Sequence, residues 1–241
     1  MSNTMATVDL NEVKKFYNEV SEIWASNDIW HQWSRCQIQK YLNTVPFSCH
    51  DSILNAGSGG NDYGISCKEM IHVDVAEKKL AGIKNAVVSS VESMPFPNSR
   101  FDGIICVGSV INYCDAGAVI AEFSRVSKPG ASLILEFENS AGYEYRKKSC
   151  YKKSAAVVTV QFQSSAHTQW LYSLPYIKSL LQVHHFSIQS VYPYHICSSL
   201  ALSITGIEEE SARFAQIDTL IRKIPPIAAH ANNYIIRCIK S

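Results

Sequence analysis

The 241-residue chain predicts a doubly wound α/β fold: a mostly parallel sheet with helices on its faces and an N-terminal helical lid. Three observations lead to it. Short apolar runs recur through residues 52–137, separated by segments in which apolar residues return every three or four positions. The first run is followed at once by Gly57-Ser58-Gly59-Gly60, and the next ends on Asp74. Near-continuous apolar runs suit strands covered on both sides, and strands alternating with helical segments imply parallel pairing.

Residues 9–24 carry Leu10, Val13, Phe16, Tyr17, Val20 and Ile23 at helical spacing. Asp28 can cap a second helix running to about Leu42, and Pro46 ends that region. Five strands follow: Ser52 to Ala56, Ile71 to Val75, Ala86 to Val88, Phe101 to Val107 and Ala131 to Phe137. The connections read as helical, most clearly at 116–127, where Val119, Ile120, Phe123 and Val126 form one stripe before Lys128-Pro129-Gly130 stops it. Beyond the fifth strand the pattern loosens. Residues 139–156 are polar and basic, 157–163 read as a strand, Leu174 to His184 and 208–223 as helices, and Asn233 to Ile239 as a last strand. The whole is expected to be one domain: lid at 1–45, ligand-binding core at 50–140, and acceptor-side elements at 141–241.

Composition narrows the function. Hydrophobic residues make up 46% and charged residues 18%, which is globular. A formal net charge of +1 offers no basic excess for gripping a nucleic-acid backbone. None of the eight cysteines is spaced C-x-x-C, and no histidine–cysteine–carboxylate cluster has metal-ligand spacing, so no metal site is expected. Met1 to Leu10 lacks a signal-peptide pattern, and no stretch of about 18 apolar residues exists to span a membrane. The expectation is a cytoplasmic protein with reduced thiols.

A glycine-rich turn between strand and helix lets backbone approach a ligand closely, and Gly57 and Gly59 stand there. An acid ending the next strand can accept both hydroxyls of a ribose, which is the position of Asp74, although it can also cap a helix at 76–80. A dinucleotide would prefer a third glycine where Asp62 stands, and the Gly-Lys-Ser/Thr of a P-loop is missing. S-adenosylmethionine has no phosphate to cradle and tolerates nearby acids.

ILNAGSGG at Ile53 to Gly60, IHVDV at Ile71 to Val75, SSVESMPFP at Ser89 to Pro97 with the following FDGIICVGSVINY, and SKPGASLILE at Ser127 to Glu136 resemble, in order, the motifs of class I S-adenosylmethionine-dependent methyltransferases. The resemblance covers about residues 50–140 and implies a Rossmann-like fold and a methyl-transfer enzyme. It places Ala56, Gly57 and Gly59 beside the methionine part of the cofactor, Asp74 on the ribose and Val75 against the adenine. Ser90, Val91 and Glu92 fall along the adenine edge, with Val107, Gly108 and Ser109 beneath the ligand. Tyr17 and Trp24 are the aromatics that would close over it, helped by Trp30 and Trp33, and Arg35 can meet its carboxylate. Asn55 stands where the family usually has an acid, and Ser90 where many members have Asp. The short stretch from Gly60 to Ile71 leaves room for only an abbreviated first crossover helix.

In-line methyl transfer needs alignment and exclusion of water, and a base only where the nucleophile carries a proton. Acceptor-side candidates are Glu138, Tyr143, Tyr145, His167, Trp170 and Tyr172, with His167 the candidate catalytic base because imidazole titrates near neutrality. A small-molecule acceptor is expected. A protein or RNA acceptor, favoured by the basic run at 146–153, and a binding protein without catalysis are the alternatives.

Overall fold

The computed structural model describes residues 8–162 and 165–241. Residues 1–7, read above as lacking a signal-peptide pattern, and residue 163 of the expected strand 157–163 lie outside the described residues. Nine strands form among the described residues: β1 (Ser52–Ala56), β2 (Glu69–Asp74), β3 (Ala86–Val88), β4 (Phe101–Cys106), β5 (Ser127–Glu138), β6 (Ala155–Phe162), β7 (Ser165–Tyr172), β8 (Phe186–Tyr194) and β9 (Asn233–Lys240). The helices are α1 (Leu10–Glu19), α2 (Ile29–Leu42), α3 (Ala116–Val126), α4 (Leu174–Val183), α5 (Cys197–Thr205), α6 (Glu208–Ala212), α7 (Asp218–Ile221) and α8 (Pro225–Ala228). Seven strands make one sheet in the order β3-β2-β1-β4-β5-β9-β8. The first five are parallel, and β9 runs antiparallel to both β5 and β8. β6 and β7 form a separate antiparallel hairpin.

Side-chain alternation sorts the core into two layers. Leu54, Ile104, Cys106, Leu133, Leu135 and Ile236 face one way, where Val119, Ile120 and Phe123 of α3 and Ile177 and Leu181 of α4 cover them. Ile53, Ile105, Ile134 and Ile235 face the other way, onto Ile38, Tyr41 and Leu42 of α2. The N-terminal pair thus divides: α2 is half of the hydrophobic core, whereas α1 buries only Val13 and lies over the loops at the carboxyl ends of the strands.

Three connections differ from the expectation of helices. No helix forms between β1 and β2 or between β3 and β4, and β2 is followed only by a short 3-10 turn at Glu77–Leu80. The twelve residues between β1 and β2 include Gly57, Gly59, Gly60 and Gly64, all at positive φ, a composition that opposes helix nucleation. α2 takes the place on the sheet that a first crossover helix would cover. α1 ends at Glu19 rather than near residue 24 because Val20 is extended; Lys79 Nζ donates to the Val20 carbonyl and, at 3.3 Å, to that of Ser21. The helix expected at 208–223 is broken into α6, a 3-10 segment and α7. β7 and β8 carry no clean alternation and escaped the sequence reading. No helix among the described residues is long and apolar enough to cross a membrane.

The division of the N-terminus is testable. Ile38→Ala should cost about 2–5 kcal/mol as a buried large-to-small change, lowering Tm by at least about 4 °C. Deleting residues 1–20 should lower Tm by less. If calorimetry shows the deletion to be the more destabilising, α1 belongs to the core and is not a lid.

Candidate functional site

The carboxyl ends of β1, β2, β4 and β5 open on a pair of adjoining cavities, the crevice position favoured for ligands in open α/β sheets. The first holds about 700 Å3 of space, open to solvent at its mouth. Its walls are Gly57, Ser58 and Gly59 after β1, Asp74 and Val75 at the end of β2, Ser90 and Val91 after β3, and Val107 and Gly108 after β4. Leu10, Val13 and Tyr17 of α1, with Ile23 and Trp24 from the segment joining α1 to α2, form the roof. Gln32 of α2 fixes that segment by donating to the Trp24 and Ala25 carbonyls at 2.6 and 3.0 Å.

The glycine turn has a geometric reason. Gly57 has φ +70°, and a Cβ there would stand 2.3 Å from Val110 Cγ2, so both backbone and neighbour exclude a side chain. The Gly57 and Ser58 amides donate to the Val73 carbonyl at 2.7 and 3.1 Å. Asp74 completes the tie: Oδ2 accepts from the Gly59 amide at 2.8 Å and Oδ1 from the Ala76 amide at 2.9 Å. Burial raises its pKa and these amides hold it down, the first effect winning. The 3-10 turn at Glu77–Leu80 has Ala76 as its N-cap and no side-chain cap, so Asp74 braces the residue before that turn and the glycine turn rather than capping a helix. Asn55 is buried with its Nδ2 donating to the Asn61 carbonyl at 2.6 Å. An acid in its place would set carboxylate against carbonyl, which accounts for the amide here.

The other sequence candidates are distributed as follows. Ala56 is buried in the core and Glu92 turns away, accepting from the Asp115 amide at 2.7 Å; neither lines the first cavity. Ser109 lies in the second. Arg35 faces an adjoining groove with Ser58, Gly59, Asn61 and Lys79. Trp30 lines the second cavity and stacks on His195 at 3.9 Å between ring centroids; Trp33 lines neither cavity.

The second cavity, about 1270 Å3 and partly open, shares Tyr17, Ile23, Trp24, Gly108 and Tyr113 with the first. The β6–β7 hairpin closes it through Thr159, Gln161, His167 and Gln169. Of the acceptor-side candidates, Glu138, Tyr145 and His167 line it. Tyr143 packs against His230, Trp170 against Tyr172, and the Tyr172 hydroxyl donates to the Cys114 carbonyl at 2.6 Å, so these three do not. At the junction the Tyr17 hydroxyl donates to Tyr113 at 3.2 Å, and the Tyr113 hydroxyl meets His167 Nε2 at 2.8 Å. Burial lowers the His167 pKa, keeping the ring neutral.

Glu136, Glu144, Tyr113 and Glu208 were missed. Glu136 and Glu138 alternate on β5 with Ile134, so both emerge on the α2 side, a signal that period-two counting contained. Glu136 is buried and satisfied by Tyr194 Oη and Asn233 Nδ2, each at 2.8 Å, and by the Ser109 amide. Burial pushes the Glu138 carboxyl up to about 7, and burial plus the Glu138 charge pushes Glu144 up to about 8.

Residues 55–135 match a family model described as a methyltransferase domain. Over those residues the chain is similar to the methyltransferase-domain family. Over 62 residues it is 42% identical to the ubiquinone/menaquinone biosynthesis C-methyltransferase UbiE of Shewanella piezotolerans, covering 25% of each chain; the match spans about a quarter of the length of that relative. Solved structures share the fold across nearly the whole chain. One is a SAM-dependent methyltransferase from Thermotoga maritima, described as a possible histamine N-methyltransferase, at TM-score 0.61 and 17% identity, covering 96% of this chain and 99% of that one. Another is the [4+2]-cyclase SpnF, at TM-score 0.60 and 16% identity, covering 98% and 97%. The fold of this chain departs from a fully helical crossover pattern at β1–β2, where α2 supplies the missing layer.

The raised carboxyls carry a sign. The unfolded chain releases these protons near the ordinary 4.5, while the folded protein holds them to about 7 and 8. Their stabilising contribution is full below about 4.5 and lost as pH rises through 7 to 8. The histidines lowered by burial, His167 and His195, act in the opposite sense only below about 6.5. His31, lowered by burial but raised on balance by Asp28, is common to wild type and variant. Tm of the unliganded protein should therefore fall by a few degrees between pH 6.5 and 8.5, and by less in Glu144→Gln. Equal slopes in the two proteins would contradict the assignment.

Proposed function

We propose that the protein transfers a methyl group from S-adenosylmethionine to a small-molecule acceptor by in-line displacement. The observation that carries this reading is the continuity of the two cavities: one has the glycine turn and the strand-end acid that a nucleoside ligand needs, and the other is a chamber walled by the hairpin and α2. Gly57 and Gly59, where a Cβ would collide with Val110 and Ile23, leave backbone open to the methionine part. Asp74 keeps lone pairs for the ribose hydroxyls, Val75 packs on the adenine, and Ser90 and Val91 meet its edge. Arg35, in the groove beside Gly59, pairs with the amino-acid carboxylate. Tyr17 and Trp24 cover the ligand and exclude water. When bound, the cofactor supplies a methyl group on a sulfonium.

A chamber with four carboxylates on its wall disfavours a nucleic-acid backbone. Of the basic run, Lys148 alone lines that chamber, while Arg146 and Lys152 border a separate surface groove. His167, the catalytic base expected from the sequence, touches the junction through Tyr113, and burial lowers its pKa. All eight cysteines are free thiols, in keeping with a reducing, cytoplasmic setting.

S-adenosylhomocysteine should bind more tightly than NAD in titration calorimetry, and labelled S-adenosylmethionine should yield a labelled small product. Asp74→Ala should weaken S-adenosylhomocysteine binding at least about tenfold, because charge-assisted hydrogen bonds contribute about 1.5–3 kcal/mol each. It should also lower Tm, because the Gly59 and Ala76 amides lose their acceptor. A lowered Tm with unchanged affinity would leave Asp74 a structural residue and remove the cofactor from this cleft.

A further inference from the structure

The second cavity is more acidic than general acceptor binding requires. Glu136, Glu138, Glu144 and Glu208 all line it. They reach it from three separate parts of the chain: β5, the turn at Tyr143–Tyr145, and α6. The cationic residues among the described lining are Lys148, whose Nζ lies 5.0 Å from the centre of the Tyr145 ring, and the histidines His31 and His167. His31 is already committed to Asp28, Nδ1 to Oδ2 at 2.7 Å, and His167 is kept neutral by burial. Among the described lining, four acids thus stand against Lys148 and His31.

Hydrogen bonding distinguishes its members. Glu136 is satisfied by its three donors and acts as a fixed part of the wall. Glu138 accepts from the Tyr145 hydroxyl at 3.2 Å and from the Gln169 amide. That hydroxyl has one proton to give, and it goes to Glu138. Glu144 Oε2 is buried and has no hydrogen-bond partner. A buried carboxylate oxygen without a donor is costly, and two neighbouring carboxylates on a chamber wall are matched by a ligand that brings both donors and positive charge. Trp30, Tyr113, Tyr145 and Tyr194 line the same chamber, and aromatic rings attract an organic ammonium.

We propose that the acceptor is a small amine, whose ammonium group is bound between Glu138 and Glu144 and whose nitrogen receives the methyl group. This rests on the methyl-transfer reading above. The step balances as follows. The ammonium gives one proton to a Glu138 or Glu144 carboxylate, and the nitrogen lone pair so freed forms the N–C bond as the C–S bond breaks. The bonding pair stays on sulfur, which becomes a neutral thioether, and the product leaves as the methylated ammonium. The burial that weakens His167 as a base strengthens these carboxylates, so the proton passes to them. Glu138 and Glu144 then both bind the acceptor and activate it.

The experiment uses the full chain and matched probes: phenethylamine and tryptamine against phenethyl alcohol and tryptophol, titrated with and without saturating S-adenosylhomocysteine. The amines should bind at least tenfold more tightly than their alcohols. Glu138→Gln and Glu144→Gln should each weaken amine binding at least tenfold, while leaving S-adenosylhomocysteine affinity within twofold and the alcohols unaffected. Equal or tighter binding of the alcohols, binding of neither series, or amine binding indifferent to both substitutions would overturn the proposal. Unfolding of a Gln variant, seen by circular dichroism, shifts that arm to Glu144→Asp, which keeps the charge and should retain amine preference. Absence of S-adenosylhomocysteine binding with amine preference intact would sink the cofactor reading and leave the amine site standing. The reverse result would do the opposite.

Discussion

The bonds between the end of β2 and the turn after β1 hold the site together. Val73 gives its carbonyl to two amides of the turn, and Asp74 gives an oxygen to a third. Glycine makes this geometry possible, because the chain must turn at positive φ directly under Val110 with no space for a Cβ. The same carboxylate anchors the start of the 3-10 turn that carries Lys79, and Lys79 caps the carbonyls at the end of α1. One acid therefore sets the floor of the cleft directly and its roof at one remove. Its raised pKa records the tension: desolvation works against the charge and backbone donors work for it.

The second organising constraint is the missing crossover helix. A parallel sheet needs both faces covered, and a β1–β2 connection rich in positive-φ glycines cannot supply a helix. α2 fills that place from the N-terminus, with Ile38, Tyr41 and Leu42 against Ile53, Ile105 and Ile134. This ties the roof to the core. Gln32 of α2 holds the Trp24 segment, and Trp30 and Ser34 of α2 line the inner chamber. The part of the chain that looked like a single lid thus has two jobs, and only α1 is lightly enough buried to move without unpacking the sheet.

Much of the first cavity's wall was legible because its rules are local. Strand, glycine turn and strand-end acid lie within about twenty residues, and a positive-φ turn admits few residue types. The second cavity was less legible because its wall is assembled from β5, the turn at Tyr143–Tyr145, β6, β7, α2 and α6, and no spacing in the chain announces that Glu144 and Glu208 will share a wall with Glu138. Candidates chosen there for their chemistry alone divided: Tyr145 and His167 face the chamber, whereas Tyr143, Trp170 and Tyr172 pack elsewhere. β8 was invisible for a related reason. It is an edge strand whose outward residues are polar and whose register shifts between Ile188 and Ser190, so period two never emerges.

The contrast between Glu136 and Glu144 separates structure from function in the chamber. Both are raised by burial, yet Glu136 has a donor for each oxygen and links β5, β8 and β9 through Tyr194 and Asn233. Its charge is solvated by the protein, so its cost is already met and its removal would strand three donors. Glu144 has no such compensation at Oε2. The acids of the wall are thus unequal: one fixes the sheet edge, and the other has an oxygen that no protein donor meets.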